Sequence, residues 1–226
     1  MKSEYLIFNA LVALGPVVAL LFVPKIRKPA VIPTLIALAF PALGFVLWDI
    51  AVTGIFWTFN SAFTLGPRIG GVPLEEVLFF FTVPFGCLVL WANWARVHDT
   101  KNEHTLVPAV LLLLSVPITI WSVWVGWYYT GIVSAVFVVV VIIDYVCKIR
   151  LWWRSAFHSF SLVVILLTFV FNLYLTARPV VLYNAAMKSN LTILTIPAED
   201  FVYGLVLISC VIILYELIER FKFNHT

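Results

Sequence analysis

The hydrophobic pattern of the chain is a series of long apolar runs separated by short polar segments. Within each run apolar residues are continuous rather than alternating with polar ones, which favours helices over strands. Because a helix needs about 20 predominantly apolar residues to cross a bilayer, the pattern predicts an all-α membrane protein with seven spans. The predicted spans are 5–23, 32–52, 74–95, 106–124, 130–147, 157–176 and 199–218.

The composition supports a membrane location and excludes an ordinary soluble domain. Charged residues make up 11% of the chain and hydrophobic residues 63%, whereas soluble domains contain about 25% charged residues. The formal net charge is +3. Since the basic residues lie between the spans, this charge does not predict a nucleic-acid partner, and membrane lipid is the expected surroundings.

The basic residues predict the orientation of the chain in the cell membrane. One side of the predicted bundle carries ten of them: Lys25, Arg27, Lys28, Arg96, Lys101, Lys148, Arg150, Arg154, Arg220 and Lys222. The other side carries four: Lys2, Arg68, Arg178 and Lys188. Because cytoplasmic loops are enriched in Lys and Arg, we expect a multi-pass protein with its N-terminus outside and its C-terminus in the cytoplasm.

Two similar acidic motifs stand at the predicted outer ends of two spans. The first is PLEEVLFF at 73–80, and the second, PAEDFVYG at 197–204, follows 124 residues later. Their carboxylates are Glu75, Glu76, Glu199 and Asp200. A helix N-terminus gains only about 0.3–1 kcal/mol from each acidic residue. Carboxylates in a span are costly and usually face the bundle interior, so paired acids in both motifs favour a functional role.

The same shift of 124 residues aligns further parts of the chain. The aligned pairs include Phe59 with Tyr183, Asn60 with Asn184, Ala62 with Ala186, Ile69 with Ile193, Phe79 with Tyr203 and Arg96 with Arg220. This register predicts two three-helix repeats, at 1–100 and 128–226, joined by a linking helix within 101–127. With one extra helix between them, both repeats enter the membrane in the same direction, as parallel repeats about an axis along the membrane normal.

The outer loops and two further acidic residues complete the predicted arrangement. The outer loops at 53–72 and 177–196 are aromatic, and we expect them to fold back over the bundle, since irregular backbone at membrane depth must be buried in protein. Asp49 lies near the outer end of the second span and joins the acidic layer.

Asp144, at the inner end of the fifth span, is predicted to pair with Lys148 one helical turn away.

These residue types suit the protonation of an alkene. A buried carboxyl group favours its neutral, protonated form, and aromatic faces attract the positive charge that alkene protonation creates. The candidate catalytic residues are Glu75, Glu76, Glu199, Asp200 and Asp49. The candidate substrate-binding residues are Trp48, Trp57, Phe59, Asn60, Phe79, Tyr183, Asn184 and Tyr203.

The repeat and its two motifs resemble the small integral-membrane lycopene cyclases of microbial carotenoid pathways. In that family two homologous subunits, or two fused halves, form one cyclase, and this chain resembles the fused form over nearly its whole length. The second motif departs from the first, with Ala198 and Asp200 in place of Leu and Glu. The resemblance leaves open whether both acidic sites act.

The resemblance implies a reaction that needs no cofactor. An acid, Glu75 or Glu76, would protonate the terminal double bond of a linear carotenoid such as lycopene. Glu199 or Asp200 would act as its partner or as the base whose choice of proton gives a β or an ε ring. Asn60 and Asn184 would orient these acids. Other enzymes of the carotenoid pathway are possible partners.

Other functions are compatible with parts of the pattern. A proton-coupled small transporter or a carotenoid-binding membrane protein could also use parallel repeats and buried acids. A hydratase or a cyclase acting on a longer carotenoid is a further alternative. No metal site is predicted, because the histidines are scattered along the chain: His98, His104, His158 and His225.

Overall fold

The computed structural model describes residues 3–99 and 105–223. The described chain forms seven α-helices: α1 (Glu4–Phe22), α2 (Val31–Val52), α3 (Leu74–His98), α4 (Leu106–Val125), α5 (Tyr128–Val146), α6 (Ser155–Ala177) and α7 (Ala198–Phe223). All seven are long and apolar enough to cross a membrane. The predicted seven-helix fold is confirmed, although α3 and α7 continue inward beyond their predicted ends.

The helices pack as two similar three-helix units. In the first unit α1 packs against α3, and in the second α5 packs against α7. The middle helix of each unit, α2 or α6, contacts both α3 and α7. The two helices that begin with the acidic motifs therefore lie at the centre of the bundle. The linking helix α4 packs on α5, and the division of the chain at residues 100 and 127 stays a prediction.

The outer loops contain short strands that the helical pattern did not predict. Strand β1 (Trp57–Phe59) pairs antiparallel with β4 (Val181–Tyr183), and Trp57 lies opposite Tyr183. Each loop also closes in a short hairpin, formed by β2 (Arg68–Ile69) with β3 (Val72–Pro73) and by β5 (Thr192–Ile193) with β6 (Ile196–Pro197). Because backbone groups away from water need partners, this pairing lets the loops lie over the helix ends.

The loops feed directly into the central helices. Pro73 ends β3 and precedes the first residue of α3, with an extended backbone at φ −61° and ψ 147°. Pro197 ends β6, and α7 begins at Ala198. Proline fits this junction because its ring fixes φ near −65° and it donates no hydrogen bond. The junction leaves both acidic pairs within the first turn of their helices.

An aromatic core beneath the acidic layer holds the inner half of the bundle together. Trp91, Phe157 and Phe160 are almost completely buried. The Trp91 ring meets the Phe160 ring edge-on, with a centroid distance of 5.3 Å. Trp152 packs on Phe157 in the same manner at 4.9 Å. Such edge-to-face pairs contribute beyond the area they bury, so α3 and α6 are firmly connected below the site.

Asp144 has a different partner from the one predicted. Its carboxylate is fully buried and accepts the backbone N–H groups of Leu151, at 3.0 Å, and Trp152, at 2.9 Å. These residues form a single 3₁₀ turn between α5 and α6. The carboxylate thus pairs with backbone donors that would otherwise be buried without acceptors, and the predicted pairing with Lys148 is wrong.

Replacement of Asp144 by alanine is expected to destabilise the protein. The change leaves two buried N–H donors unpaired, and each such group costs about 1–3 kcal/mol. The free energy of unfolding, measured by denaturation of the full chain in detergent micelles, should fall accordingly. Lys148→Gln is the matched control and should change this free energy by less than about 0.5 kcal/mol. Equal losses in the two variants would contradict the assigned contact.

Candidate active site

Three carboxyl groups line one small cavity near the ends of α2, α3 and α7. They belong to Asp49, Glu76 and Asp200, and the cavity has a volume of about 60 Å³. The three residues are 2%, 8% and 3% exposed. Since α3 belongs to the first repeat and α7 to the second, the cavity lies where the two repeats meet. We call it the acid cavity.

Asp200 accepts hydrogen bonds from three neutral side chains. The Tyr129 hydroxyl donates to Oδ1 at 2.8 Å, and the Tyr183 hydroxyl donates to Oδ2 at 2.7 Å. The Asn172 amide also donates to Oδ2, at 3.0 Å. An ionised carboxylate can only accept hydrogen bonds, so three donors complement Asp200 in its carboxylate form.

The surroundings of Tyr183 keep its hydroxyl protonated, so that it can donate a hydrogen bond. It lies on β4, outside the helices. Burial, and then the nearby charge of Asp200, raise the pKa of the Tyr183 hydroxyl well above its usual value. The hydroxyl therefore stays protonated and continues to donate to Asp200.

On the first-repeat side the carboxyl groups have fewer donors. The Tyr5 hydroxyl donates to Glu76 Oε2 at 2.6 Å. Asp49 Oδ2 and the Tyr203 hydroxyl are buried near each other, and neither has any other hydrogen-bond partner among the described residues. A buried polar atom without a protein partner is unusual. These two groups, one from each repeat, can therefore offer polar atoms to a reacting molecule.

Sequence reasoning missed Tyr5 and Tyr129, which the shift of 124 residues could have identified. The two tyrosines align with each other under this shift, and each donates to the second acid of its own repeat. Tyrosine near a helix end in a membrane protein is common at the lipid–water interface, so neither residue stood out alone.

The first acid of each motif does not line the acid cavity. Glu75 Oε1 accepts the backbone N–H of Leu65 at 2.6 Å, and Glu199 Oε1 accepts that of Ser189 at 2.7 Å. The Thr130 hydroxyl also donates to Glu199, at 2.5 Å. Leu65 and Ser189 align under the repeat shift. Adjacent helix residues point about 100° apart, so Glu75 and Glu199 hold the outer loops while their neighbours face the cavity.

The two matched asparagines shape the loops rather than contact the acids. Asn60 Oδ1 accepts the N–H of Ala62 at 3.0 Å, and Asn184 Oδ1 accepts that of Ala186 at 3.1 Å. In each case the side-chain oxygen accepts from the backbone N–H two residues later in the chain, which is typical of asparagine turns. The expected contact of either asparagine with a carboxyl group is not among the hydrogen bonds of the described residues.

Aromatic rings surround the carboxyl groups. The candidates that line the acid cavity are Trp57, Phe59, Phe79, Tyr183 and Tyr203. Trp48 lies beside the cavity, with its ring centroid 6.4 Å from that of Trp57. Trp57 in turn meets Tyr129 edge-on at 5.2 Å. Aromatic faces attract cations, so this wall can stabilise a positive charge that forms beside the acids.

Within residues 3–99 and 105–223 no group of three or more His, Cys, Asp or Glu side chains is arranged to hold a metal ion. The three carboxyl groups, the tyrosines and the aromatic wall are instead suited to moving protons. An acid and a base can act within one cavity whose walls are largely apolar. Such a cavity can protonate a hydrocarbon and then deprotonate it.

Comparison with known protein families gives a match. The family model described as lycopene cyclase matches residues 2–94 and 126–218. The two segments are offset by the same 124 residues as the internal repeat and together cover most of the chain. Neither the curated proteins nor the solved structures contain a match. The chain therefore belongs to the lycopene cyclase family.

Proposed function

We propose that this lycopene cyclase family member closes a ring at the end of a linear carotenoid, such as lycopene, by acid catalysis without a redox cofactor. Membership of the family supports a cyclase with a carotenoid substrate. The observation that carries the mechanism is the placement of Asp49, Glu76 and Asp200 around one buried cavity with aromatic walls. An alkene end that enters this cavity meets an acid, a base and rings that attract cations.

Glu76 is the proposed acid, with Asp49 as its neighbour. Two carboxyl groups that line one dry cavity do not both ionise readily, so one of the two keeps its proton. Glu76 is the second acid of its motif and faces the cavity, and Asp49 Oδ2 has no hydrogen-bond partner other than Tyr203 among the described residues. The pair transfers its proton to the terminal double bond, and a tertiary carbocation forms at the adjacent carbon.

Ring closure then needs no further reagent. The electron pair of a second double bond of the polyene attacks the cation, and the new carbon–carbon bond completes a six-membered ring that now carries the positive charge. Asp200 removes a proton from a ring carbon, and those electrons form the ring double bond. The position of that proton decides between a β and an ε ring. The product is an isomer of the substrate, and return of the proton from Asp200 to Glu76 or Asp49 restores the site.

Three donors support Asp200 as the base. Tyr129, Tyr183 and Asn172 hold its carboxylate in place across the cavity from the first-repeat acids. The aromatic wall stabilises the cation between the two steps. It also excludes water, which would otherwise capture the cation as an alcohol.

The proposed orientation puts the acid cavity near the outer surface of the cell membrane. The cavity lies at the end of the bundle opposite the loops that carry most of the basic residues. Basic loops face the cytoplasm, so the N-terminus lies outside and the C-terminus inside. The polyene reaches the cavity through lipid, the solvent in which it is dissolved.

Replacement of each acid by its amide should distinguish the roles of the two acids in each motif. Glu76→Gln, Asp49→Asn and Asp200→Asn remove a proposed proton donor or acceptor, and each should lower turnover by about 10²–10⁴-fold. Glu75→Gln and Glu199→Gln keep the oxygen that accepts a loop N–H and should retain most turnover per folded molecule. The measurement is cyclised product formed from lycopene by equal amounts of purified protein.

The adjacent variants serve as controls for each other. A loss of activity in Glu75→Gln equal to that in Glu76→Gln would remove the distinction between the loop-holding and cavity-facing acids. Full activity in all three cavity variants would exclude the proposed acid–base mechanism.

Removal of one tyrosine hydroxyl should impair Asp200 as the base, because its ionised form loses a hydrogen bond and is held less firmly in place. Tyr129→Phe deletes one of the three hydrogen bonds to Asp200, and a bond to a charged group is worth about 1.5–3 kcal/mol. Turnover of lycopene should fall by about tenfold or more. Tyr128→Phe is the matched control, since Tyr128 is 47% exposed, and it should leave turnover unchanged. Equal rates in the two variants would contradict the role given to Tyr129.

A further inference from the structure

Two apolar grooves on the bundle surface are related by the internal repeat. The first, here called the α1 groove, is formed by α1, α3 and α6 and has a volume of about 570 Å³. The second, the α5 groove, is formed by α2, α5 and α7 and has a volume of about 350 Å³. Because the shift of 124 residues carries α1 onto α5, α3 onto α7 and α2 onto α6, the grooves occupy equivalent places.

The α1 groove continues into the acid cavity through a small cavity of about 40 Å³. Four residues line both the groove and the small cavity: Val83, Cys87, Leu167 and Phe171. Four others line both the small cavity and the acid cavity: Phe79, Asn172, Asp200 and Tyr203. The groove, the small cavity and the acid cavity therefore adjoin one another in a row that leads from the lipid-facing surface to the proposed base.

The α5 groove is less well connected. It shares one lining residue, Tyr203, with the acid cavity. Its walls at Trp48 and Phe45 include large aromatic rings, and the Phe45 ring meets the Tyr203 ring edge-on at 4.9 Å. This aromatic contact lies where the groove adjoins the acid cavity.

The α1 groove also has the greater reach along the membrane normal. Along α3, the lining of the path extends from Phe79 at the acid cavity to Asn93 at the inner end of the groove. At 1.5 Å per residue this part of the helix is about 21 Å long, most of the roughly 30 Å hydrocarbon thickness of a bilayer. A path of this shape suits a long, rigid, apolar rod.

We propose that the α1 groove holds the polyene chain of the substrate while one end of the molecule lies in the acid cavity. This inference rests on the proposed carotenoid substrate and assigns its binding path. The α5 groove, although equivalent in the repeat, holds membrane lipid. The reacting end approaches Asp200 past Asn172, and the far end lies near Lys25 and Asn93 at the other side of the bundle.

Two glycines provide a matched pair of substitutions. Gly15 lines the α1 groove and Gly44 lines the α5 groove. A Cβ atom added at either position meets nothing within 4 Å. Both residues are exposed on transmembrane helices, where leucine is well tolerated in lipid. Gly15→Leu therefore fills the proposed substrate path, and Gly44→Leu makes the same chemical change in the other groove.

The test measures bound carotenoid as well as product. The full-length protein and its variants are purified in mild detergent from lycopene-accumulating cells, and lycopene per protein is determined from its visible absorbance. Gly15→Leu should lower both occupancy and turnover by about tenfold, since an overfilled site loses affinity by an amount of this size. Gly44→Leu should match the unsubstituted protein in both measurements.

Repeating the occupancy measurement in the Glu76→Gln background separates this inference from the proposed mechanism. If Gly15→Leu lowers the amount of bound lycopene in this background, the result supports the α1 groove as the substrate path whether or not Glu76 is the acid. Equal occupancy in the Gly15 and Gly44 variants, or loss from Gly44→Leu alone, would overturn the assignment. Thermal unfolding checks that each variant is folded. Ala19→Leu, at another position that lines the α1 groove, provides the same test should Gly15→Leu not fold.

Discussion

The arrangement of the outer half of this protein depends on carboxyl groups that are removed from water and must find their hydrogen bonds within the protein. A buried acid without partners is very costly in a membrane. Asp200 on α7 obtains its donors from α5, α6 and β4, and Glu76 on α3 obtains one from α1. Each carboxyl group thereby connects elements that the hydrophobic effect alone would not orient, because lipid tails are as apolar as the helices themselves.

The repeat preserves some positions and changes others, and the two groups differ in role. Glu75 and Glu199 keep the same contact with the loop that precedes them, and Tyr5 and Tyr129 keep the same contact with the following acid. Around the acid cavity the aligned pairs differ: Asp49 with Leu173, Trp48 with Asn172, Phe59 with Tyr183 and Phe79 with Tyr203. The contacts that recur in both repeats build the same frame twice, while the differing pairs make the two sides of the cavity chemically unlike, as the proposed acid and base would require.

The sequence predicts the spans and the repeat, since the first follows from bilayer thickness and the second from a regular offset. It does not predict which acid of a pair faces the cavity, because Glu75 and Glu76 differ by only 100° around α3 and the loop conformation decides between them. The pairing of β1 with β4 joins residues far apart in the chain, and no local pattern encodes it. The partners of Asp144 could not be predicted from a local pattern either, since they are backbone groups of a turn between helices.

The one-sided cavity has a consequence for a substrate that is itself symmetrical. If the proposed mechanism and groove hold, the acid cavity is the reaction site, and a polyene lying along α3 would have its second end near the opposite side of the bundle. A molecule with rings at both ends would then have to leave after its first closure, turn around within the bilayer and enter again. The molecule with one ring would be a free species dissolved in lipid, open to capture by another membrane enzyme before its return.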